Sequence, residues 1–113
     1  MKIIRDEITN GELKLMAEAM FGDMVKAVVD TERGLIAVDA ELHSDLEAHL
    51  IQDGSKQGGL WGINLYPEKR AGDFIEYDSL INIRPSAGNR SRGVEDGEIR
   101  RKIADLVGKR VGK

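Results

Sequence analysis

The segment 84–93 carries the residues best suited to hold an anion. It contains three arginines, two serines, an asparagine and two glycines, and it leads into the start of a helix. Glycines let backbone amides converge on a ligand, arginines offer forked donors, and a helix start adds unpaired N–H groups. The sequence therefore predicts a site for an anionic small molecule or a phosphate-bearing partner. The predicted ligand-binding residues of this loop are Arg84, Ser86, Asn89, Arg90, Ser91 and Arg92.

The spacing of this loop does not match the known phosphate-binding fingerprints. A Walker loop would end in Gly-Lys-Ser/Thr, and a dinucleotide fingerprint needs a different glycine spacing inside a βαβ unit. A polar connection, whose arginines pair with the protein's own carboxylates, has equal weight. The sequence leaves both interpretations open.

A second group of polar side chains is predicted along the last two strands. Alternate residues of a strand share a face, so Asn64 should lie beside Glu76 and Asp78, with Asn82 and Arg84 close by. The two asparagines, Asn64 and Asn82, are therefore added to the predicted ligand site. The two carboxylates are candidates for a general base or a Mg²⁺ ligand. An exposed sheet face would show the same alternation without any function.

Residues 39–49 contain two histidines and four carboxylates. In a strand, Glu41 and His43 would share a face and could form a pair for a divalent metal. His43 and His49 are six residues apart, so one helix cannot direct both at one ion. A small metal-dependent hydrolase is therefore the alternative function, although neither a bound metal nor a cofactor is predicted.

Composition limits the class of protein. The chain has 113 residues and no cysteine, which excludes a disulfide framework, a thiolate metal site and a cysteine nucleophile. Its first residues lack the apolar core of a signal peptide, and no apolar run approaches the ~20 residues of a bilayer span. We therefore expect one cytoplasmic domain over residues 1–113, with no membrane partner.

Charge is distributed unevenly along the chain. Residues 84–113 hold nine Lys/Arg and four Asp/Glu, whereas residues 1–83 hold eight Lys/Arg and sixteen Asp/Glu. The basic last quarter predicts an anion-facing surface, or a face that meets the acidic one of a second copy in a homo-oligomeric adaptor. With five aromatic residues and a net charge of −3, the chain does not favour nucleic acid as a partner. A local phosphate contact stays open.

Three helices are predicted to position these groups. The capping box Thr9–Glu12 begins the first helix, whose apolar stripe runs from Leu13 to Phe21. The last helix covers about 97–110 and has acidic residues at its start and basic ones at its end. Residues 41–53 also fit a strand, but a second capping-box match at Ser44–Glu47 favours a short helix.

Two β-hairpins are predicted between the helices. Residues 24–30 and 35–40 form the first, with Gly34 in the turn, and residues 60–66 and 74–84 form the second. Strict alternation makes 74–84 the clearest strand of the chain. The order of elements predicts an α+β fold: an antiparallel sheet of four or five strands built from two hairpins, with two or three helices packed on one face.

Several short strings identify the chain as similar to a known family. They are Met20–Lys26, Glu41–His43, Gly54–Gln57, Leu60–Pro67, and Ile81–Pro85 continuing to Arg90–Arg92. In these strings the chain resembles a family of small prokaryotic proteins classed as a domain of unknown function. The resemblance covers essentially the whole chain and implies one intact domain. It implies no substrate and no catalytic residue.

Overall fold

The computed structural model describes residues 1–112, and these residues form a five-stranded antiparallel sheet, a two-stranded pair and three α-helices. The strands are β1 (Lys2–Ile4), β2 (Ile8–Thr9), β3 (Val25–Asp30), β4 (Leu35–Val38), β5 (Leu60–Leu65), β6 (Ile75–Glu76) and β7 (Val111–Gly112). The sheet order is β1-β4-β3-β5-β6, and β2 pairs with β7 in parallel. The helices are α1 (Asn10–Ala19), α2 (His43–Gln52) and α3 (Gly97–Arg110). The predicted α+β fold with an antiparallel sheet is confirmed.

The predicted hairpin of β3 and β4 is confirmed and lies at the centre of the sheet. Gly34 has a φ of 69°, the left-handed conformation that this turn needs, and its N–H donates to the Asp30 carbonyl at 2.9 Å. The fully buried carboxylate of Asp30 accepts the N–H groups of Glu32 and Arg33. It also accepts the hydroxyl of Ser55 at 2.6 Å. This carboxylate therefore fixes the turn and ties it to the segment after α2.

Helices cover both faces of the sheet, which corrects the prediction that they share one face. On one face, α1 and α3 contribute buried side chains such as Leu13 and Ile103 to the larger core cluster. On the other face, α2 packs Leu46 and Leu50 against residues that include Val28. Because β3 and β4 are apolar on both sides, helices on a single face would leave half of their side chains in water.

The starts of the helices agree with the sequence in two cases and differ in the third. Thr9 caps α1 by accepting the N–H of Glu12 at 3.1 Å, as predicted, and Asp96 caps α3. A helix is confirmed within residues 41–53, but it begins at His43 with Leu42 as its N-cap residue, so the capping box predicted at Ser44 is wrong. No helix among residues 1–112 combines the length and apolar character that a bilayer span requires.

The apolar stripe of α1 is shorter than predicted. Leu13 and Ala17 are buried, and Met16 packs against the same core cluster. Met20 and Phe21 follow the end of the helix and are 38% and 40% exposed. The helix ends early enough that these two side chains no longer continue the buried face.

The predicted strand 74–84 is wrong beyond Glu76, where β6 ends. The chain leaves the sheet there, and Leu80–Asn82 form a single 3-10 turn. In place of a strand, the side-chain amide of Asn82 pairs with Gly62 on β5. Its oxygen accepts the Gly62 N–H at 2.8 Å, and its nitrogen donates to the Gly62 carbonyl at 2.9 Å. One side chain therefore satisfies backbone groups that a neighbouring strand would have satisfied.

Candidate functional site

The loop 84–93 is held together by its own side chains. Asn89 is buried, and its amide nitrogen donates to the carbonyls of Asn82, Ser91 and Gly93. Its amide oxygen accepts the N–H of Glu95 at 2.9 Å. The amide of Asn82 is likewise engaged, with β5 and with a carbonyl of this loop. Asn82 and Asn89, two of the three asparagines of the predicted ligand site, therefore bind the protein's own backbone.

The backbone N–H groups of this loop that suit an anion are occupied by a carboxylate of the protein. Glu95 Oε2 accepts the N–H of Arg90 at 2.7 Å and that of Ser91 at 2.9 Å. These bonds favour the charged form and lower the pKa of Glu95 below its usual value. The loop thus has the backbone geometry of an anion site, and Glu95 fills it.

The hydrogen bonds that Glu95 accepts should make the structure of the loop depend on pH. Because folding lowers the pKa of Glu95, its stabilising effect is present above the unfolded-state pKa and is lost as the pH falls through the folded-state pKa. We expect the amide proton shifts of Arg90 and Ser91 to titrate in acid by NMR, and to stop titrating in Glu95→Gln. Glu98→Gln, which changes an exposed carboxylate of α3, is the control. Titration that persists in Glu95→Gln would contradict the assignment.

The side chain of Arg84 contacts other residues of the protein, whereas the side chains of Ser86 and Arg90 do not form hydrogen bonds within its described residues. Its guanidinium carbon lies 5.0 Å from the centre of the Trp61 ring, and it donates to a backbone carbonyl of β5 at 2.5 Å. Burial lowers the pKa of Arg84, and the carboxylate of Glu47, 3.4 Å away, opposes that shift. The exposed side chains of Ser86 and Arg90 form no hydrogen bond with any residue of the described chain.

A cleft of about 400 Å³ brings together residues from separate segments of the chain. It lies between the start of α2, the strands β3 and β5, and the segment that follows β6. The predicted residues Asn64, Glu76, Asp78 and Arg92 meet here, while Asn82 and Arg84 lie outside the lining. The polar residues of the lining are Lys26, His43, Ser44, Asn64, Glu76, Asp78, Ser79 and Arg92.

The amide of Asn64 is fixed in orientation at the back of this cleft. Asn64 is 5% exposed, and its nitrogen donates to the Glu76 carboxylate at 2.8 Å and to the Asp78 carbonyl at 3.3 Å. Because both partners are acceptors, the nitrogen must face them and the oxygen must face away. That oxygen is buried and receives no hydrogen bond from residues 1–112. An unpartnered acceptor in a cleft is unfavourable unless a donor is supplied.

His43 also lines this cleft and is held in one tautomer. Its Nε2 lies 2.8 Å from the carbonyl of Ile63, and since a carbonyl can only accept, Nε2 carries the proton. Burial lowers the pKa of His43 below its usual value, although its bond to Ile63 and the negative charge of Asp78 partly oppose this. At neutral pH the imidazole is therefore neutral, with a lone pair on Nδ1.

The start of α2 contributes backbone donors and positive potential to the cleft. Leu42, at the N-cap position, has an apolar side chain that cannot accept a hydrogen bond from the first N–H groups. His43 and Ser44, the first two helical residues, both line the cleft. Their N–H groups lie at the positive end of the helix dipole. Lys26 adds a cation from β3, with its Nζ 5.2 Å from the centre of the Phe21 ring.

The structure does not place Glu41 and His43, the candidate pair for a divalent metal, on one strand face. Glu41 is exposed and precedes α2 outside any strand, so it does not share a strand face with His43. Among residues 1–112, no group of three or more His, Asp or Glu side chains is placed to hold a metal ion.

The arginine of the loop that lines the cleft is Arg92. Its Nε donates to the Asp78 carboxylate at 2.6 Å, and its side chain remains half exposed. Ser91 does not line the cleft; it is exposed, and its hydroxyl accepts the Gly93 N–H at 3.2 Å. Lys26 and Ser44 belong to elements far from the loop in sequence, and no local pattern identifies them as binding residues. The residues on one side of the cleft were therefore predictable from the sequence, whereas these two were not.

Comparison with known proteins places the chain in a family. A family model described as a protein of unknown function (DUF5674) matches residues 2–110. Neither the curated proteins nor the solved structures include a match to the chain. The resemblance identified in the sequence is thus confirmed at the level of the family. The chain belongs to the DUF5674 family of proteins of unknown function.

Proposed function

We propose that the protein binds a small anionic ligand, carrying a phosphate or carboxylate, in the cleft at the start of α2. The observation that carries the proposal is the convergence of the α2 N-terminus with Lys26 and Arg92 in one cleft. A helix start offers free N–H groups to an anion, and the two cations can add charge-assisted bonds. A cytoplasmic location belongs to the same proposal and is supported by the cysteine-free sequence.

The carboxylates of the cleft limit which anion fits. Asp78 is paired with Arg92, and Glu76 accepts the amide of Asn64 and the hydroxyl of Tyr66, the latter at 3.1 Å. Their remaining oxygens can accept further hydrogen bonds, so they suit hydroxyl or amino groups of a ligand. The expected ligand therefore directs its anionic group to α2 and its hydroxyl groups to the carboxylates. A sugar phosphate has this arrangement of groups.

The protonation state of His43 should depend on whether an anion occupies the cleft. A bound anion would favour the protonated imidazole, because an opposite charge nearby raises the pKa of a histidine. The added proton on Nδ1 could then be donated to the oxygen of Asn64. In this proposal the empty cleft keeps His43 neutral, and the occupied cleft gains a third positive charge.

Replacing either cation of the cleft should weaken ligand binding. We expect Lys26→Gln and Arg92→Gln each to raise the Kd for a sugar phosphate about tenfold or more, since a hydrogen bond to a charged group contributes ~1.5–3 kcal/mol. Isothermal titration calorimetry with ribose 5-phosphate, glucose 6-phosphate, AMP and inorganic phosphate measures the effect. Arg90→Gln is the matched control, because it makes the same change at an exposed arginine outside the cleft.

Two outcomes would contradict the proposal. If Arg90→Gln abolishes binding while Lys26→Gln leaves it intact, the ligand lies on the outer face of the 84–93 loop. If none of the four phosphates binds the wild-type chain more tightly than ~1 mM, the cleft does not take ligands of this class. Equal binding to Lys26→Gln and wild-type protein would also place the anion away from the start of α2.

A further inference from the structure

A larger groove of about 600 Å³ lies between the second half of α3, β7 and the segment 67–75. It shares no lining residue with the cleft at α2. Its floor is apolar and includes Phe74, Ile75, Ala104 and Val107. The volume falls within the ~300–1,000 Å³ typical of small-molecule sites, which are mostly apolar with few polar groups. The groove therefore has the size and the surface of a ligand site.

Gly108 keeps this groove open. A glycine within a helix lowers its stability by up to ~1 kcal/mol relative to alanine. A Cβ at Gly108 would meet no atom within 4 Å, so the packing of the protein does not demand a glycine there. Because Gly108 lines the groove, a longer side chain would instead occupy the empty space. The absence of a side chain at Gly108 therefore leaves the floor of the groove unfilled.

A buried acceptor lies in the wall of the groove. The side-chain nitrogen of Asn10 donates to the Pro67 carbonyl at 2.8 Å, which fixes the orientation of the amide. Its oxygen is buried and receives no hydrogen bond from the described part of the chain. Asn10 lines the groove, so the missing donor could come from an occupant.

The positive charge at the rim of the groove favours a negatively charged occupant. Lys69 and Arg70 line the groove, and none of its described lining residues is acidic, although the chain as a whole has a net charge of −3. Lys69 Nζ lies 4.2 Å from the centre of the Tyr66 ring. Arg70 is exposed and forms no ion pair with a residue of 1–112. The rim is therefore complementary to an anion.

We propose that this groove binds a small amphipathic anion, namely an alkyl or aryl carboxylate or sulfonate whose apolar body also carries an N–H or O–H donor for the oxygen of Asn10. The apolar body packs on Phe74 and Val107 in the space left by Gly108, and the charged group faces Lys69 and Arg70. This ligand differs in chemistry from the polar anion proposed for the α2 cleft. The two proposals are independent, because the two sites have different residues.

Gly108→Leu should close the groove without unfolding the protein. Leucine has a higher helix propensity than glycine, so we expect a melting temperature at or above that of the wild type. The probe is 8-anilinonaphthalene-1-sulfonate, followed by its fluorescence and displaced by decanoate. We expect saturable binding of one probe per wild-type chain and an affinity at least about tenfold lower in Gly108→Leu. Gly97→Leu is the matched control, since Gly97 has open space on the same helix outside the groove.

Arg70→Gln tests the charge of the ligand separately. It should raise the inhibition constant of decanoate and leave that of decanol unchanged, because decanol lacks the charged group; each constant is calculated with the affinity of that variant for the probe, which is itself an anion. Equal effects on both would overturn the anionic part of the proposal. An affinity of Gly108→Leu for the probe equal to that of the wild type would contradict the proposed site. The absence of saturable binding to the wild type would contradict it as well. Self-association of the wild type that Gly108→Leu abolishes, without probe binding, would assign the groove to a second copy and overturn the proposal.

Discussion

Asn82→Ala should destabilise the protein by about 3–5 kcal/mol, a large part of the ~5–15 kcal/mol that stabilises a typical domain. The side chain is fully buried and forms three hydrogen bonds to backbone groups. Alanine would leave the N–H and carbonyl of Gly62 without these partners, whereas the carbonyl of Arg92 would keep the N–H of Ser79. Each buried orphan of this kind costs ~1–3 kcal/mol. The effect is large because one amide replaces part of a strand.

Equilibrium unfolding in urea measures this loss. Ser86→Ala is the control, since it removes an exposed hydroxyl near the same loop and should change the free energy of unfolding by less than ~0.5 kcal/mol. Asn82→Asp keeps the acceptor for the Gly62 N–H but presents a carboxylate to the two carbonyls, so it should be destabilising as well. A free energy of unfolding for Asn82→Ala within ~1 kcal/mol of the wild type would show that the amide does not hold β5.

Gly62→Ala should be destabilising by about 3 kcal/mol through overpacking, and the variant will fold poorly if the site cannot relax. A Cβ at this position would lie 2.5 Å from both Cβ and Oγ of Ser79 and 3.1 Å from a side-chain carbon of Ile81. Ser79 is 1% exposed, and its N–H donates to the Arg92 carbonyl at 2.9 Å. The segment after β6 therefore lies on β5 at a distance that only glycine permits.

Thermal unfolding of paired variants separates this contact from a general effect of alanine. Gly58→Ala should be nearly neutral, because a Cβ at Gly58 meets no atom within 4 Å. Gly62→Ala combined with Ser79→Gly should recover part of the lost stability, since the second change removes the atoms that collide. No recovery in the double variant would mean that the clash with Ser79 does not limit this position.

The parts of the fold that could be predicted are those set by local chemistry. The cap at Thr9, the turn at Gly34 and the amphipathic helix at 97–110 each depend on residues a few positions apart. The end of the predicted strand 74–84 depends instead on contacts with residues distant in sequence, so local chemistry could not predict it. Its alternation is real, but Ile83 is 42% exposed and Ile81 packs against the cluster beneath α2. The tertiary bond from Asn82 to β5 overrides the local pattern, and nothing in the local sequence announces it.

The candidate site was predictable only where its residues share one segment. The pairing of Asn64 with Glu76 follows from strand alternation, and it is present at 2.8 Å. Lys26 and His43 enter the cleft from β3 and α2, and their convergence depends on how the sheet and helix pack. The loop 84–93 has the composition of a ligand site, yet the carboxylate of Glu95, just after the loop, accepts its backbone N–H groups. Composition alone cannot distinguish an open donor from an occupied one.

The parallel pairing of β2 with β7 has a consequence for access to the groove beside α3. It joins Ile8 to Val111 and Thr9 to Gly112, and so closes almost the whole described chain into one loop. The entropy of closing a loop grows with its length, whereas this closure has two residue pairs to hold it. Fraying should therefore begin here, before the central sheet opens. Since Val111 and Gly112 form one wall of the groove, an occupant could enter through this fraying while the sheet stays intact.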